Sequence, residues 1–143
     1  MKKLVIGSDH AGFELKKYLI KVFEDKGWVM DDKGTYSNES TDYPDYAHAV
    51  ATEVETNSAL GILICGSASG VCMSANKHPG VRAAQCWLPQ IAQLAKQHND
   101  ANVICLPARF IAKEFAVEIV DAFLSATFEG GRHERRVNKI SCN

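Results

Sequence analysis

The stretch Leu60-Gly-Ile-Leu-Ile-Cys-Gly-Ser-Ala-Ser-Gly70 decides how this chain is read. An apolar run bounded by small residues reads as a buried strand, Gly61 to Cys65, of the kind found in parallel sheets. The strand ends in a thiol, Cys65, and opens at once into Gly66, Ser67, Ala68, Ser69 and Gly70. In an open α/β sheet, the carboxyl end of a strand faces the crevice where ligands bind. Backbone N–H groups at a following helix start stabilise negative charge, on a phosphate, a developing oxyanion or the sulfur itself. A nucleophile or base beside an anion cradle is the outline of an enzyme. The competing reading is an inert core cysteine before a tight turn, since free Cys is among the most buried residue types. The stretch is neither a Walker loop nor a GxGxxG motif.

Outward from this strand, strand-like runs alternate with helical patterns, which predicts a parallel sheet covered by helices. Leu4 to Ile6 reads as the first strand, closed by Gly7. Leu15, Tyr18, Leu19, Val22 and Phe23 follow at helical spacing, with Gly27 as the stop. Trp28 to Met30 is a short second strand, and residues 33–45 form a polar loop. Pro44 suits the first turn of a helix that carries Ala47, Val50, Ala51 and Val54 inward. Val81 to Cys86 and Asn102 to Leu106 read as the fourth and fifth strands. A last helix buries Phe115, Ala116, Ile119, Val120, Phe123 and Leu124. The tail from Phe128 to Arg136 is polar and too short for another layer.

At 143 residues the chain suits one domain, 1–143, with 46% hydrophobic and 23% charged residues. A net charge of −1 provides no global field for nucleic acid or an anionic membrane, so an anion needs a local cluster. No apolar segment approaches bilayer length, and the N-terminus enters a strand without a signal peptide's longer apolar stretch. The five cysteines, at 65, 72, 86, 105 and 142, are scattered, without CxxC or Cys/His ligand spacing. That pattern points to reduced thiols in the cytoplasm rather than disulfides or structural zinc.

Three more clusters could carry chemistry. Asp9 and His10 follow the first strand at the same sheet edge as Cys65. Asp9 could grip hydroxyls or only cap a helix, and His10 could face a phosphate or move a proton. His98-Asn99-Asp100 precedes the fifth strand, as a turn with Asx caps or as an acid/base group. Arg132 and Arg136 stand four apart, so one helical turn would put two guanidinium forks on one face, which suits a phosphate monoester. Arg109, after the fifth strand, is either a further anion ligand or a solvated charge. Ser67 is within reach of hydrogen bonding the Cys65 sulfur.

Taken together, Ile6-Gly-Ser-Asp-His-Ala-Gly-Phe13, Asp42-Tyr-Pro-Asp-Tyr46, Gly61-Ile-Leu-Ile-Cys-Gly66, Ser74-Ala-Asn-Lys77, Gln97-His-Asn-Asp-Ala-Asn102 and Glu129-Gly-Gly-Arg-His133 cover nearly the whole chain in order. The set resembles the ribose-5-phosphate isomerase B family of aldose–ketose isomerases, which includes allose-6-phosphate and galactose-6-phosphate isomerases. The resemblance implies a three-layer α/β sandwich with a five-stranded parallel, Rossmann-like sheet. It implies a homodimer, sometimes a tetramer, with active sites shared between protomers. It also implies a phosphorylated sugar substrate and no metal or organic cofactor. Carried onto this chain, Cys65 would be the base, supported by Ser67. The backbone N–H groups of Gly66, Ser67, Ala68, Ser69 and Gly70 would hold the oxyanion. His98 would assist ring opening, Asp9 and Asn99 would grip hydroxyls, and Tyr43 would line the pocket. His10, Arg109, Arg132 and Arg136 would hold the phosphate.

The family pattern Cys-Gly-Thr-Gly-x-Gly becomes Cys-Gly-Ser-Ala-Ser-Gly here. Ser67 keeps the hydroxyl, whereas Ala68 brings a Cβ that is costly if φ is positive. Trp87-Leu-Pro-Gln-Ile91 replaces a polar segment and is expected at the pocket mouth or a dimer contact. Pro107 replaces a glycine before Arg109. Ribose 5-phosphate is the expected substrate. A six-carbon sugar phosphate and a catalytically silent sugar-phosphate binder are the alternatives. A flavodoxin-like nucleotide binder ranks last, for want of an aromatic stacking pair.

Overall fold

Alternate residues of a strand serve opposite faces of its sheet, and that alternation sorts the core into two layers. The computed structural model describes residues 2–142. Its five strands are β1 (Lys3–Ser8), β2 (Val29–Asp32), β3 (Leu60–Cys65), β4 (Ala83–Gln85) and β5 (Val103–Pro107). All neighbours pair in parallel, in the order β2-β1-β3-β5-β4. The helices are α1 (Phe13–Asp25), α2 (Tyr43–Asn57), α3 (Ser69–Ala75), α4 (Pro89–Asn99), α5 (Lys113–Ser125) and α6 (Arg132–Val137).

Leu4, Ile6, Ile62, Ile64, Ile104 and Leu106 pack with Leu19 and Phe23 of α1, Ala92 and Ala95 of α4, and Ile119 and Phe123 of α5. Val5, Leu63, Cys65, Val103 and Cys105 pack on the other face with Val50 and Val54 of α2 and Val71 and Ala75 of α3. Both faces are thus covered, and each fully buried Leu, Ile or Phe contributes about 1.5–3 kcal/mol. The expected three-layer sandwich forms. Among the described residues, no helix is long and apolar enough to cross a membrane.

Several boundaries differ from expectation for local reasons. β4 is shorter than Val81 to Cys86 because its approach is tied to side chains. The Arg82 N–H donates to Asn102 Oδ1 and the Ala83 N–H to Asn76 Oδ1, both at 2.8 Å. Residues 89–99 form α4, with Pro89 in its first turn. Its fully buried residues are few and small, Ala92 and Ala95, so its apolar stripe is faint in the sequence. His98 and Asn99 therefore end a helix rather than form a turn. Asp100, at φ +48°, makes the left-handed step toward β5. The tail folds as α6 and packs against α4.

The chain leaves β1 toward one edge of the sheet and β3 toward the other. The crevice above these two neighbours is the topological switch point, where the loops after β1 and β3 meet. The long connection after β2 is anchored there by Lys16, which is 1% exposed. Its ammonium lies 2.7 Å from both carboxylate oxygens of Asp32. Asp32 also accepts the Gly34 N–H at 2.9 Å through Oδ1.

Candidate active site

The turn after β1 is seated directly on the end of β3. The Asp9 N–H donates to the Ile64 carbonyl at 3.2 Å. A Cβ at Gly12 would stand 2.7 Å from Ile64 Cγ2, so glycine permits this approach. Asp9 is buried, and its Oδ1 accepts the N–H groups of Ala11 and Gly12 at 3.0 and 3.2 Å. Asp9 is therefore a cap, through one of its two carboxylate oxygens. His10 is held by a reciprocal pair: its N–H donates to Thr41 Oγ1, and the Thr41 N–H donates to His10 Nδ1, both at 3.2 Å. That pairing puts the ring lone pair on Nδ1 and leaves Nε2 to carry a proton outward.

Cys65 closes β3 facing α2 and α3, 5% exposed. The loop that follows it is enclosed from two sides. Arg109 folds over Gly66, where an added Cβ would meet Nη1 at 3.0 Å. The ring of Tyr43 covers Gly70, where a Cβ would meet Cε1 at 2.6 Å. Between them Ala68 adopts φ +70° while fully buried, so the Cβ cost anticipated from the sequence is real. Ser69 begins α3. Ser67 departs from expectation. It is exposed, and its Oγ accepts the Ser69 N–H at 3.3 Å rather than bonding the Cys65 sulfur. A two-residue reach within the turn satisfies the hydroxyl locally. Gln85 props the loop by donating from Nε2 to the Ser67 carbonyl at 2.8 Å and to Ser69 Oγ at 3.0 Å.

The thiols of Cys72, Cys86 and Cys105 lie outside this constellation. Burial pushes Cys86 up to about 12 and holds Cys105 well above the ordinary thiol range. Cys72 is drawn down by its hydrogen bond with Cys105. Trp87 and Leu88 line a groove of about 750 Å³ with Ser67, Pro107, Phe110 and Phe115. Trp87 and Leu88 of the 87–91 segment thus lie beside Ser67 of the loop. The groove's lining is mainly apolar and carries no cationic side chain for a phosphate.

His98, Asn99, Arg132 and Arg136 lie elsewhere. α4 ends at Asn99, just before the amino end of β5, while Cys65 pairs with Pro107 at the carboxyl end. Five residues of strand put these two edges about 13–16 Å apart. One chain thus assembles Asp9, His10, Tyr43, Cys65, Gly66–Gly70 and Arg109, and it holds the remaining four at the opposite edge. In that second cluster the rings of His98 and His133 stack at 4.2 Å with planes 8° apart. Glu129 Oε1 lies 3.6 Å from Nε2 of both. Burial first, then the charges of His98 and Arg132, lower the pKa of His133. Arg132 and Arg136 are exposed one turn apart on α6, as their spacing implied.

The His98, Glu129 and His133 donor atoms lie within 4.8 Å of one another. Nearly parallel ring planes aim the two nitrogen lone pairs side by side rather than at one point, which is poor geometry for a metal. Thr41, Gln85, Glu129 and His133 were not singled out in the sequence. Each supports a site residue through contacts that no local pattern encodes, although Glu129 and His133 flank the arginine pair.

Comparison with known proteins covers nearly the whole chain. Residues 4–140 match the family described as Ribose/Galactose Isomerase. Ribose-5-phosphate isomerase B of Escherichia coli (strain K12) is 47% identical over 142 residues, covering 99% of this chain and 95% of that protein. A ribose 5-phosphate isomerase from Thermotoga maritima superposes with a TM-score of 0.95 at 51% identity, covering 97% of each chain. Ribose-5-phosphate isomerase B from Mycoplasma genitalium, solved with bound ribulose-5-phosphate, gives 0.93 at 48% identity, covering 96% of this chain and 93% of that one. With matches of this extent, the chain belongs to the ribose/galactose isomerase family.

Proposed function

We propose that this protein interconverts D-ribose 5-phosphate and D-ribulose 5-phosphate, with Cys65 as the base. The observation that carries the reading is the Cys65 thiol at the switch point, followed by the Gly66–Gly70 loop under Arg109. Relatives named for this reaction, one of them holding ribulose-5-phosphate, support the substrate. With the sugar open, the Cys65 thiolate removes the proton from C2, and the electron pair passes into the C1 carbonyl as an enediolate. The same proton returns to C1, and the O2 hydroxyl proton moves to O1. Backbone N–H groups of the loop stabilise the enediolate oxygen where charge develops. Ser67 acts through the shape of this loop.

His98 opens the furanose, with Asp9 and Asn99 on the hydroxyls and Tyr43 along the wall. His10, Arg109, Arg132 and Arg136 hold the phosphate, whose binding energy is spent on positioning the reacting carbons. Because the two clusters occupy opposite sheet edges, the complete site needs a second copy of the chain, His98 and the α6 arginines of one protomer meeting Cys65 of the other. Trp87, Leu88 and Phe110, at 49%, 41% and 76% exposure, leave an apolar surface beside the loop that such a homodimer would cover.

The test is turnover of ribose 5-phosphate by the wild type and by Cys65→Ala, with allose 6-phosphate in parallel. Turnover of ribose 5-phosphate that is lost in the variant supports reaction and base together. Turnover of allose 6-phosphate alone transfers the assignment to a hexose phosphate. Binding of either sugar without turnover makes the protein a silent binder.

A further inference from the structure

The reaction assigns work to His98 but not to the two groups packed on it. We infer that Glu129 and His133 are positioning residues for His98, Glu129 selecting which ring nitrogen holds the proton and His133 fixing the plane of the ring. The inference rests on the ring-opening role of His98 proposed above.

The geometry is specific. His133 is 7% exposed, and its Nε2 is buried without a hydrogen-bond partner. Its ring lies nearly parallel to that of His98, at 4.2 Å, so the buried ring is a fixed platform for the half-exposed one. The Glu129 carboxylate is aimed at both Nε2 atoms from 3.6 Å, and its backbone is tied to α4 by the Glu129 N–H donating to the Gln97 carbonyl at 3.0 Å. A carboxylate facing Nε2 favours the proton there and leaves the lone pair on Nδ1. The other charges around the pair are Arg132 and Arg136 on α6 and Lys96 and Asp100 by the end of α4. Asp100 is shared between Lys96 at 3.0 Å and Arg82 at 3.3 Å. Burial and the cationic neighbours lower the pKa of His133, which disfavours a second positive charge stacked against His98.

Furanose opening makes the demand explicit. The proton on the anomeric O1 must leave as the C1–O1 carbonyl forms, the C1–O4 bond breaks, and O4 must gain a proton. An imidazole of defined tautomer and fixed plane can accept the O1 proton at Nδ1 and pass that same proton from Nδ1 to O4, and so returns to its starting state.

A substrate that cannot close into a ring separates this role from a structural one. Ribose 5-phosphate enters as a furanose. 4-Deoxy-ribose 5-phosphate lacks the 4-hydroxyl and has its terminal hydroxyl phosphorylated, so it enters open and bypasses ring opening. Glu129→Gln and His133→Ala are expected to lower kcat/KM about tenfold or more for ribose 5-phosphate and less than about twofold for the open aldose. His133→Phe, which keeps a stacking ring, is expected to retain most of the rate on ribose 5-phosphate. An equal loss with both substrates, or none, would overturn the inference. His98→Asn, measured alongside, separates the two readings. A loss selective for ribose 5-phosphate in His98→Asn alone sinks the inference about Glu129 and His133 but leaves ring opening by His98 intact. No such loss in His98→Asn sinks the ring-opening role itself.

Discussion

The guanidinium of Arg109 occupies the space that a side chain at Gly66 would need: a Cβ there would stand 3.0 Å from Nη1 and 3.1 Å from Cζ. The two residues lie in the loops after β3 and β5, which are also joined by the Arg109 N–H donating to the Gly66 carbonyl at 3.1 Å. The obstructing atoms are the tip of a flexible side chain, so Gly66→Ala should fold and move Arg109 aside. Loss of one charge-assisted hydrogen bond to phosphate predicts a roughly tenfold higher KM for ribose 5-phosphate. The rise should not exceed that of Arg109→Ala. Steady-state kinetics check this, and an unchanged KM would remove Arg109 from the phosphate site.

Ala68 holds φ +70° with its methyl group buried. Glycine there would relieve about 1–2 kcal/mol of left-handed strain. It would also lose about 0.8 kcal/mol of methyl burial and roughly 0.4–1 kcal/mol through a looser unfolded chain. Ala68→Gly is therefore expected to leave stability within about 1 kcal/mol of wild type. Ala68→Val, which adds branching at a positive φ in a packed site, should cost about 2 kcal/mol or more. Urea unfolding of the two variants tests the pair.

If Cys65 and His98 of different protomers form each site, two inactive variants should complement. A heterodimer of Cys65→Ala and His98→Asn would contain one doubly damaged site and one intact site. Statistical mixing then returns about a quarter of wild-type activity. Co-refolding the two variants and assaying ribose 5-phosphate turnover measures it. Activity no higher than the parents' would mean that each site comes from one chain.

Glu55 accepts the Gly80 N–H at 2.7 Å and faces His78 Nδ1 at 3.0 Å. These contacts, the backbone N–H first, lower its pKa below the ordinary 4.5. A carboxylate shifted down on folding contributes stability above pH 4.5, and the contribution is lost as pH falls through the lower folded value. Wild type should therefore be more stable than Glu55→Gln at neutral pH, and the difference should shrink in acid. Urea midpoints across the acid range decide this, and a constant difference contradicts it.

Short continuous apolar runs located the central strands, because a parallel strand buried on both faces must be apolar on both. Leu4–Ile6 and Gly61–Cys65 are legible for that reason, as is α2 from Pro44 and its four inward residues. α4 escaped because alanine is small enough to bury without leaving a strong apolar stripe, and β4 was overestimated because Asn76 and Asn102 intercept its backbone from a distance. The candidate residues could be named from short local patterns, since each sits where a strand or helix ends. A parallel sheet already implies that Asp9, His10 and Cys65 share one edge, but local patterns carry no information about which strands are neighbours or where the tail docks. Only the tertiary structure decided that Cys65 and Arg109 meet at the carboxyl edge while His98 and Arg132 stand at the other. The direction of every parallel strand separates them, by the length of β5 itself.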